Sequence, residues 1–105
     1  MEKNNSELAL KNILQNFQSI IVDDPRIGPT HISLFIAILH FANEQEFKSP
    51  ISVFSKELMK HAKISGIATY TKCIQELKEL GFINYVPSYN PILGSLIYLL
   101  KSNQE

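Results

Sequence analysis

The chain has 105 residues, of which 45% are hydrophobic, and this length and composition predict one small domain with a core rather than a disordered chain. Ten basic and ten acidic residues give a formal charge of zero, so net charge alone offers little attraction for the phosphates of nucleic acid. The chain has a single cysteine, Cys73, so it cannot form an internal disulfide. No histidine lies at the spacing from Cys73 that is typical of a structural zinc site.

The first predicted element is a helix over about residues 7–21, with Ser6 as its N-cap. Its apolar residues recur at steps of three and four: Leu10, Ile13, Leu14, Phe17, Ile20 and Ile21. The polar residues before it lack the basic and apolar segments of a secretory signal, so we expect a protein that stays in the cytoplasm. Residues 22–29 contain two prolines, a glycine and two aspartates, and this composition predicts a connection.

The second predicted helix begins after Thr30, its expected N-cap, and ends between residues 43 and 47. It is apolar on almost all sides, so burial of one side alone would leave Leu34, Ile38 or Phe41 exposed, and a second surface must cover it. The apolar stretch is far shorter than the roughly 20 residues that span a bilayer. We therefore expect a buried helix and no contact with a membrane.

A short strand over residues 48–52 and a helix over about residues 53–62 follow. The helix is expected to bury three residues that lie four apart: Phe54, Leu58 and Ala62. Residues 63–65 then form a turn, in which we expect Ile64 to be buried.

The next predicted helix spans residues 66–80, with Ser65 as its cap and Gly81 as a left-handed stop. Its inward stripe is expected to contain Ile67, Tyr70, Cys73 or Ile74, and Leu77. Two apolar segments, residues 82–86 and 96–100, flank two prolines and a glycine, and this pattern predicts a β-hairpin. The predicted fold class is α+β, mainly α with a small β-hairpin.

Two short helices joined by a tight junction, a glycine stop and a hairpin make the outline of a winged helix-turn-helix. Residues 30–100 resemble that superfamily, and bacterial transcription regulators in particular. The matching features are Glu57 and Leu58 in the first motif helix, Ile64 and Ser65 at the turn, Thr69 in the second helix, and the LKELGFI ending of residues 77–83. Residues 68–70 and 87–95 are also similar to small winged-helix proteins carried on bacterial mobile elements.

This resemblance implies a winged helix-turn-helix with an additional N-terminal helix, in which helix 66–80 enters the major groove of DNA. It places the wing, residues 87–95, on the backbone or in the minor groove, and it implies a homodimer. We expect residues 1–29 to serve dimerisation and residues 30–105 to form the winged domain, the two making one compact unit. The resemblance does not name an operator or a small-molecule effector.

Carried onto this chain, the resemblance implies a DNA-binding face near the start of helix 66–80, with contributions from the wing. The expected DNA-binding residues are Lys56, Ser65, Gly66, Ala68, Thr69, Thr71, Lys72, Gln75, Ser88, Tyr89 and Asn90. Hydroxyl groups and lysine bond phosphates or base edges, Ala68 can touch a thymine methyl group, and Gln75 can read adenine.

Two departures from the superfamily pattern predict low affinity for a single copy. The only arginine, Arg26, lies far from the motif, although arginine is the commonest reader of guanine. The expected cationic wing tip is missing, because residues 87–95 contain no lysine or arginine. Weak binding by one copy favours a paired arrangement on DNA.

The first two predicted helices offer more apolar surface than the small motif can cover, and extended apolar surface is typical of partner interfaces. We therefore predict a homodimer with these interface residues: Leu10, Ile13, Leu14, Phe17, Ile21, Leu34, Ile38 and Phe41. The alternative is that the two helices merely cover each other.

The sequence has no pattern typical of catalysis. Its histidines share no metal-ligand spacing with one another or with Cys73, its glycines are scattered, and it contains no GxSxG nucleophile motif. Asp23 and Asp24 lie in a predicted turn, where a loop or cap role is expected, and Cys73 is expected to pack rather than to sense redox state. We expect no enzyme activity, no metal and no cofactor.

The function predicted from these features is sequence-specific binding of double-stranded DNA by a transcription regulator. Two alternatives remain open at this point. The neutral charge and the lack of arginine in the motif also suit a winged-helix module that binds protein. A replication or mobile-element accessory protein would use the same DNA chemistry.

Overall fold

The computed structural model describes residues 5–88 and 94–100. In order along the chain, its elements are α1 (Asn5–Ile21), α2 (Pro29–Glu44), β1 (Ile51–Val53), α3 (Ser55–Ala62), α4 (Ile67–Glu79), β2 (Ile83–Val86) and β3 (Ser95–Leu99). Four helices and a small antiparallel sheet in this part of the chain confirm the α+β class, mainly α with a small β component. Among these residues, no helix combines the length and the apolar character needed to cross a membrane.

The helix starts differ from those predicted. Ser6 lies inside α1 rather than at its N-cap. The N-cap of α2 is Gly28 rather than Thr30, because Pro29 occupies the first helical position, where its fixed φ fits and its missing N–H is not needed. The imidazole Nδ1 of His31 then accepts a hydrogen bond from the Gly28 N–H at 3.0 Å, so a histidine supplies the contact expected of a capping side chain.

The helices α3 and α4 begin one or two residues later than predicted. Helix α3 starts at Ser55, and Phe54 is its N-cap, where the ring is 44% exposed instead of packing beside Leu58. Helix α4 is capped by Gly66 rather than by Ser65, and neither helix has a side-chain cap. The short strand β1 runs up to Val53, so the chain can turn into α3 only after it.

The sheet has the order β1-β3-β2, and both pairings are antiparallel. The β2–β3 hairpin confirms the predicted pair of strands. The strand β1 was predicted to begin three residues too early, at residue 48, and without a partner. In the structure, Ile97 of β3 lies between Ile51 of β1 and Tyr85 of β2. The strand β3 therefore joins the hairpin to the segment that precedes α3.

Gly94 makes the approach of β1 to β3 possible. Its φ is +70°, and a Cβ at this position would lie 2.8 Å from the carbonyl oxygen of Val53 and 3.1 Å from the ring of Phe54. Any larger residue would combine left-handed backbone strain with a clash against backbone. From the sequence, Gly94 is expected only to form part of the turn between two strands.

The side chain of Gln45 covers the outer edge of β1. Its Nε2 donates to the carbonyl oxygen of Ser52 at 2.9 Å, and its Oε1 accepts from the Ser52 N–H at 3.1 Å. One amide side chain thus pairs with the strand as a neighbouring strand would. The free edge of a sheet is a site of unwanted pairing, and this contact blocks part of it.

An aromatic cluster joins α1 to α2 and to the start of the hairpin. The rings of Phe17 and Phe35 stack with centroids 4.1 Å apart, and Phe82 meets Phe17 edge-on at 4.9 Å. Helix α1 therefore covers one side of α2, while α3 and α4 pack on its other surfaces. Within one chain, the two apolar helices therefore cover part of each other's surface.

Other elements of the same chain supply the second surface that α2 was expected to need. Leu34 and Ile38 are fully buried and Phe41 is half-buried, whereas Ile32 and Ile36 are 37% and 46% exposed. A helix that is apolar on all sides carries no periodic signal for its orientation, so the sequence did not single out Ile32 and Ile36 as the exposed residues.

Candidate nucleic-acid interface

The junction between α3 and α4 is held by backbone geometry and by a contact from α2. Lys63 ends α3 in the left-handed region, with φ +63°, and the Ile64 N–H donates to the carbonyl oxygen of Met59 at 2.9 Å. The Ser33 hydroxyl donates to the carbonyl oxygen of Ala62. Ile64 is buried, as predicted, and anchors the turn to the core. The direction of α4 relative to α3 is therefore fixed.

Helix α4 buries four of the residues assigned to its inward stripe: Tyr70, Cys73, Ile74 and Leu77. The fifth, Ile67, was expected to be buried but is 62% exposed. Ile67 is the first residue of the helix and lies at the edge of the stripe, so the core does not extend far enough to cover it.

The expected groove-facing residues lie on the opposite side of α4 and at the two positions before it. All of them are exposed: Ser65, Gly66, Ala68, Thr69, Thr71, Lys72 and Gln75. The N-cap of α4 is Gly66, which has no side chain to accept hydrogen bonds from the backbone N–H groups of the first turn. The surface combines small side chains, hydroxyl groups, an amide and one lysine around uncapped backbone donors.

The elements that carry and adjoin this face contain several exposed lysines. The exposed lysines of α3, the junction and α4 are Lys56, Lys60, Lys63, Lys72 and Lys78. Within residues 5–88 and 94–100, none of them forms an ion pair with a carboxylate. Their charges are available to an anionic partner. Arg26 is used elsewhere, because its guanidinium is held by Asp24 at 2.8 Å in the loop before α2.

The structure describes little of the expected wing contacts. Ser88 is half-buried and has an interaction partner, so it is not a free hydroxyl. Tyr89 and Asn90 lie outside the described residues. The last described pair of the β2–β3 hairpin on this side is Val86 with Leu96.

Sequence reasoning missed a polar cluster between α2 and α4. The Nε2 of His31 lies 2.7 Å from Glu76 Oε1, and Cys73 is close enough that one ligand-type atom from each residue lies within 4.8 Å of the others. Only the fold brings them together, because Glu76 follows His31 by 45 residues. No sequence spacing would have revealed the cluster.

The hydrogen bonds of this cluster favour a structural role over metal binding. His31 Nδ1 accepts from the Gly28 N–H, so the proton of the neutral ring lies on Nε2 and is donated to Glu76. A metal on Nε2 would require the proton on Nδ1, where it would oppose the Gly28 N–H. Burial, and then the nearby Glu76 carboxylate, raise the pKa of the Cys73 thiol, which disfavours the thiolate that a metal or an oxidant needs.

Tyr70 brings a hydroxyl into the core behind the exposed face of α4. Burial raises the pKa of its phenol, and the electrostatic influence of Tyr85 adds to the shift. The Tyr70 oxygen forms no hydrogen bond of good geometry within the described residues. Tyr85 instead shares a 3.0 Å hydrogen bond with Ser95. In the described part of the chain, Tyr70 is thus a packing residue whose hydroxyl has no partner at hydrogen-bond geometry.

The residues expected at a dimer interface divide into two groups. Phe17, Ile21, Leu34 and Ile38 are buried within the single chain, so they have no surface to offer a second copy, and the expectation is corrected for them. The other group is half-buried against the core: Leu10, Ile13, Leu14 and Phe41.

Two cavities of the described residues lie against α1. One of about 340 Å³ is lined by Ala9, Ile13, Phe35, Phe82 and other residues, and one of about 180 Å³ shares Ala9, Ile13 and Leu100 with it. On the outer side of α1, Leu8 is 50% exposed. Both cavities therefore lie next to Ile13, a residue of the expected interface.

Comparisons of the chain with protein-family models, with curated proteins and with solved structures found no match.

Proposed function

We propose that the protein binds double-stranded DNA sequence-specifically as a winged helix-turn-helix transcription regulator of the bacterial cytoplasm. In this proposal α4 enters the major groove, and residues 87–95 lie on the backbone or in the minor groove. Several features support it. The order of α3, α4 and the hairpin suits this fold, β2 packs against α4, and the backbone geometry of the junction fixes the direction of α4.

The observation that carries the proposal is the exposed start of α4. Ser65, Gly66, Ala68 and Thr69 form an almost unbroken run of small and polar exposed residues, which lets the helix approach the floor of a groove closely. The first-turn N–H groups, with the positive end of the helix dipole, suit a phosphate oxygen. Lys72 and its neighbouring lysines supply charge that no carboxylate of the described residues neutralises.

The proposal includes a homodimer. With zero net charge and one lysine on the face of α4 itself, a single copy makes few phosphate contacts, and a second copy doubles them. The half-buried residues Leu10, Ile13 and Leu14, together with the exposed Leu8, give α1 an apolar surface for pairing. Sedimentation equilibrium tests this pairing: we expect a dimer that Leu8→Lys dissociates, whereas a monomer at tens of micromolar would contradict it.

Selection of bound duplexes from a random-sequence pool tests the function as a whole. The proposal predicts enrichment of a defined sequence arranged as an inverted repeat, with half-sites about one helical turn apart. Recovery of unselected sequence at background level would contradict DNA binding. The same outcome would favour the alternative of a module that binds protein, for which the zero net charge is the supporting observation.

A further inference from the structure

Ile67 is an exposed apolar residue at the tip of the proposed recognition helix. Its side chain is 62% exposed, and no other large apolar residue of α4, a helix described over its whole length, is exposed. Thr71 and Gln75 follow Ile67 at steps of four, and Ala68 lies beside it. Ile67, Thr71 and Gln75 share one side of the helix, because residues four apart are neighbours on a helical surface, and Ala68 is a neighbour of Thr71, three residues further on.

A single exposed isoleucine surrounded by small and polar side chains does not form the contiguous apolar patch that a protein interface requires. It matches the one apolar group on the major-groove edge of DNA, the C5-methyl group of thymine. The neighbouring Gln75 has the amide that pairs with both N6 and N7 of adenine. Lys72 is the only residue of this face with a cationic group for guanine.

We propose that this face reads A·T base pairs: Ile67 and Ala68 contact thymine methyl groups, and Gln75 bonds adenine. This inference rests on the proposed DNA-binding function and states which base pairs the recognition helix selects. Burial of one methyl group is equivalent to about a fourfold change in affinity. Two or three such contacts in each half-site therefore give a large part of the discrimination between sequences.

The test uses duplexes selected from the random pool, each synthesised with thymine and again with deoxyuridine, which keeps the base pairing and lacks the methyl group. We expect the wild-type protein to bind the uracil duplex about fourfold more weakly for each contacted methyl group. Ile67→Ala should bind the thymine duplex more weakly and show a smaller loss on replacement by uracil. Substitution at one thymine at a time should locate the sensitive positions within the half-sites.

Ile36→Ala is the matched control, because Ile36 is also an exposed helical isoleucine but lies on α2. It should keep the full sensitivity to uracil. If uracil acted only through DNA shape, Ile67→Ala would keep the full loss of affinity on replacement of thymine by uracil. A smaller loss in Ile67→Ala therefore identifies a direct contact. Both side chains are exposed, and unchanged unfolding curves for the two variants would separate binding from folding.

The outcomes distinguish this inference from the function on which it rests. If no duplex binds, the proposed function fails and the inference fails with it. If selected duplexes bind but are rich in G·C pairs, or bind equally well with uracil, the inference fails while the function stands. Equal sensitivity in wild-type protein and Ile67→Ala would overturn the assignment of the methyl contact to Ile67.

Discussion

His31 Nε2 donates a 2.7 Å hydrogen bond to Glu76 Oε1 and thereby joins the first turn of α2 to α4. The other ring nitrogen of His31 accepts from the Gly28 N–H, so one side chain connects the start of one helix to the face of another. With Ile64 at the junction and the four buried residues of α4, this bond fixes how the exposed side of α4 faces solvent. The orientation on which the proposed function depends is thus set from inside the fold.

Glu76→Ala should lower the free energy of unfolding by about 1–3 kcal/mol, because it leaves the buried His31 N–H without an acceptor. Urea denaturation measures the change. Glu79→Ala is the matched control: Glu79 is an exposed glutamate on the same helix, and its removal should change stability by less than about 0.5 kcal/mol. Equal effects of the two substitutions would contradict the structural role of the His31–Glu76 bond.

Tyr70→Phe should leave the free energy of unfolding unchanged or raise it by about 1 kcal/mol, because it removes a buried hydroxyl that has no partner in the described structure. Tyr85→Phe should instead lower stability by about 1 kcal/mol, because it breaks the hydrogen bond to Ser95. Removal of the phenol hydroxyl is thus expected to lower the free energy of unfolding at Tyr85 but not at Tyr70. A clear loss of stability in Tyr70→Phe would show that its hydroxyl is paired.

Gly94→Ala should destabilise the fold by about 2 kcal/mol or more, because it adds left-handed backbone strain and a Cβ clash with Val53. Gly66→Ala is the control. The φ of Gly66 is −98°, and the nearest atom to its added Cβ is Thr69 Oγ1 at 3.7 Å, so the methyl group fits. Thermal unfolding compares the two variants, and equal stability would mean that β1 does not approach β3 as described.

The carboxyl group of Asp24 should titrate at about 2 instead of its ordinary value of 3.8, because hydrogen bonds from the Arg26 side chain and backbone lower its pKa. The stabilisation from this pair is present above the ordinary pKa and is lost as the pH falls toward 2. Carboxyl-detected NMR titration measures the midpoint. Arg26→Ala should move it back toward 3.8, and an unchanged midpoint would show that Arg26 is not the cause.

Features that depend on residues close in sequence were predicted well. The buried stripe from Tyr70 to Leu77, the buried Ile64 and the left-handed Gly81, with φ +88°, all follow from helical period or from turn chemistry. The hairpin was also predicted, because two prolines and a glycine separate its two apolar segments. These signals lie within a few residues of one another, so no knowledge of the fold was needed.

Features that depend on long-range packing were not predicted. The pairing of β1 with β3 and the close approach at Gly94 join segments that are distant in sequence. Neither the orientation of α2 nor the exposure of Ile67 has a local signal, since both depend on where the neighbouring elements end. The exposed face of α4 was recognised because its residues lie off a clear stripe, whereas the His31–Glu76 bond behind it had no sequence pattern at all.

The salt dependence of duplex binding tests the central claim, that the exposed start of α4 contacts DNA, most directly. For wild-type protein we expect affinity to fall steeply with added salt, with a slope of about 0.9 on logarithmic axes for each phosphate neutralised. Thr69→Ala combined with Lys72→Ala should weaken binding and reduce that slope by about 0.9 for each protomer, while Lys48→Ala, an exposed lysine in the loop before β1, should leave both unchanged. Unchanged affinity and slope in the double variant would contradict the account.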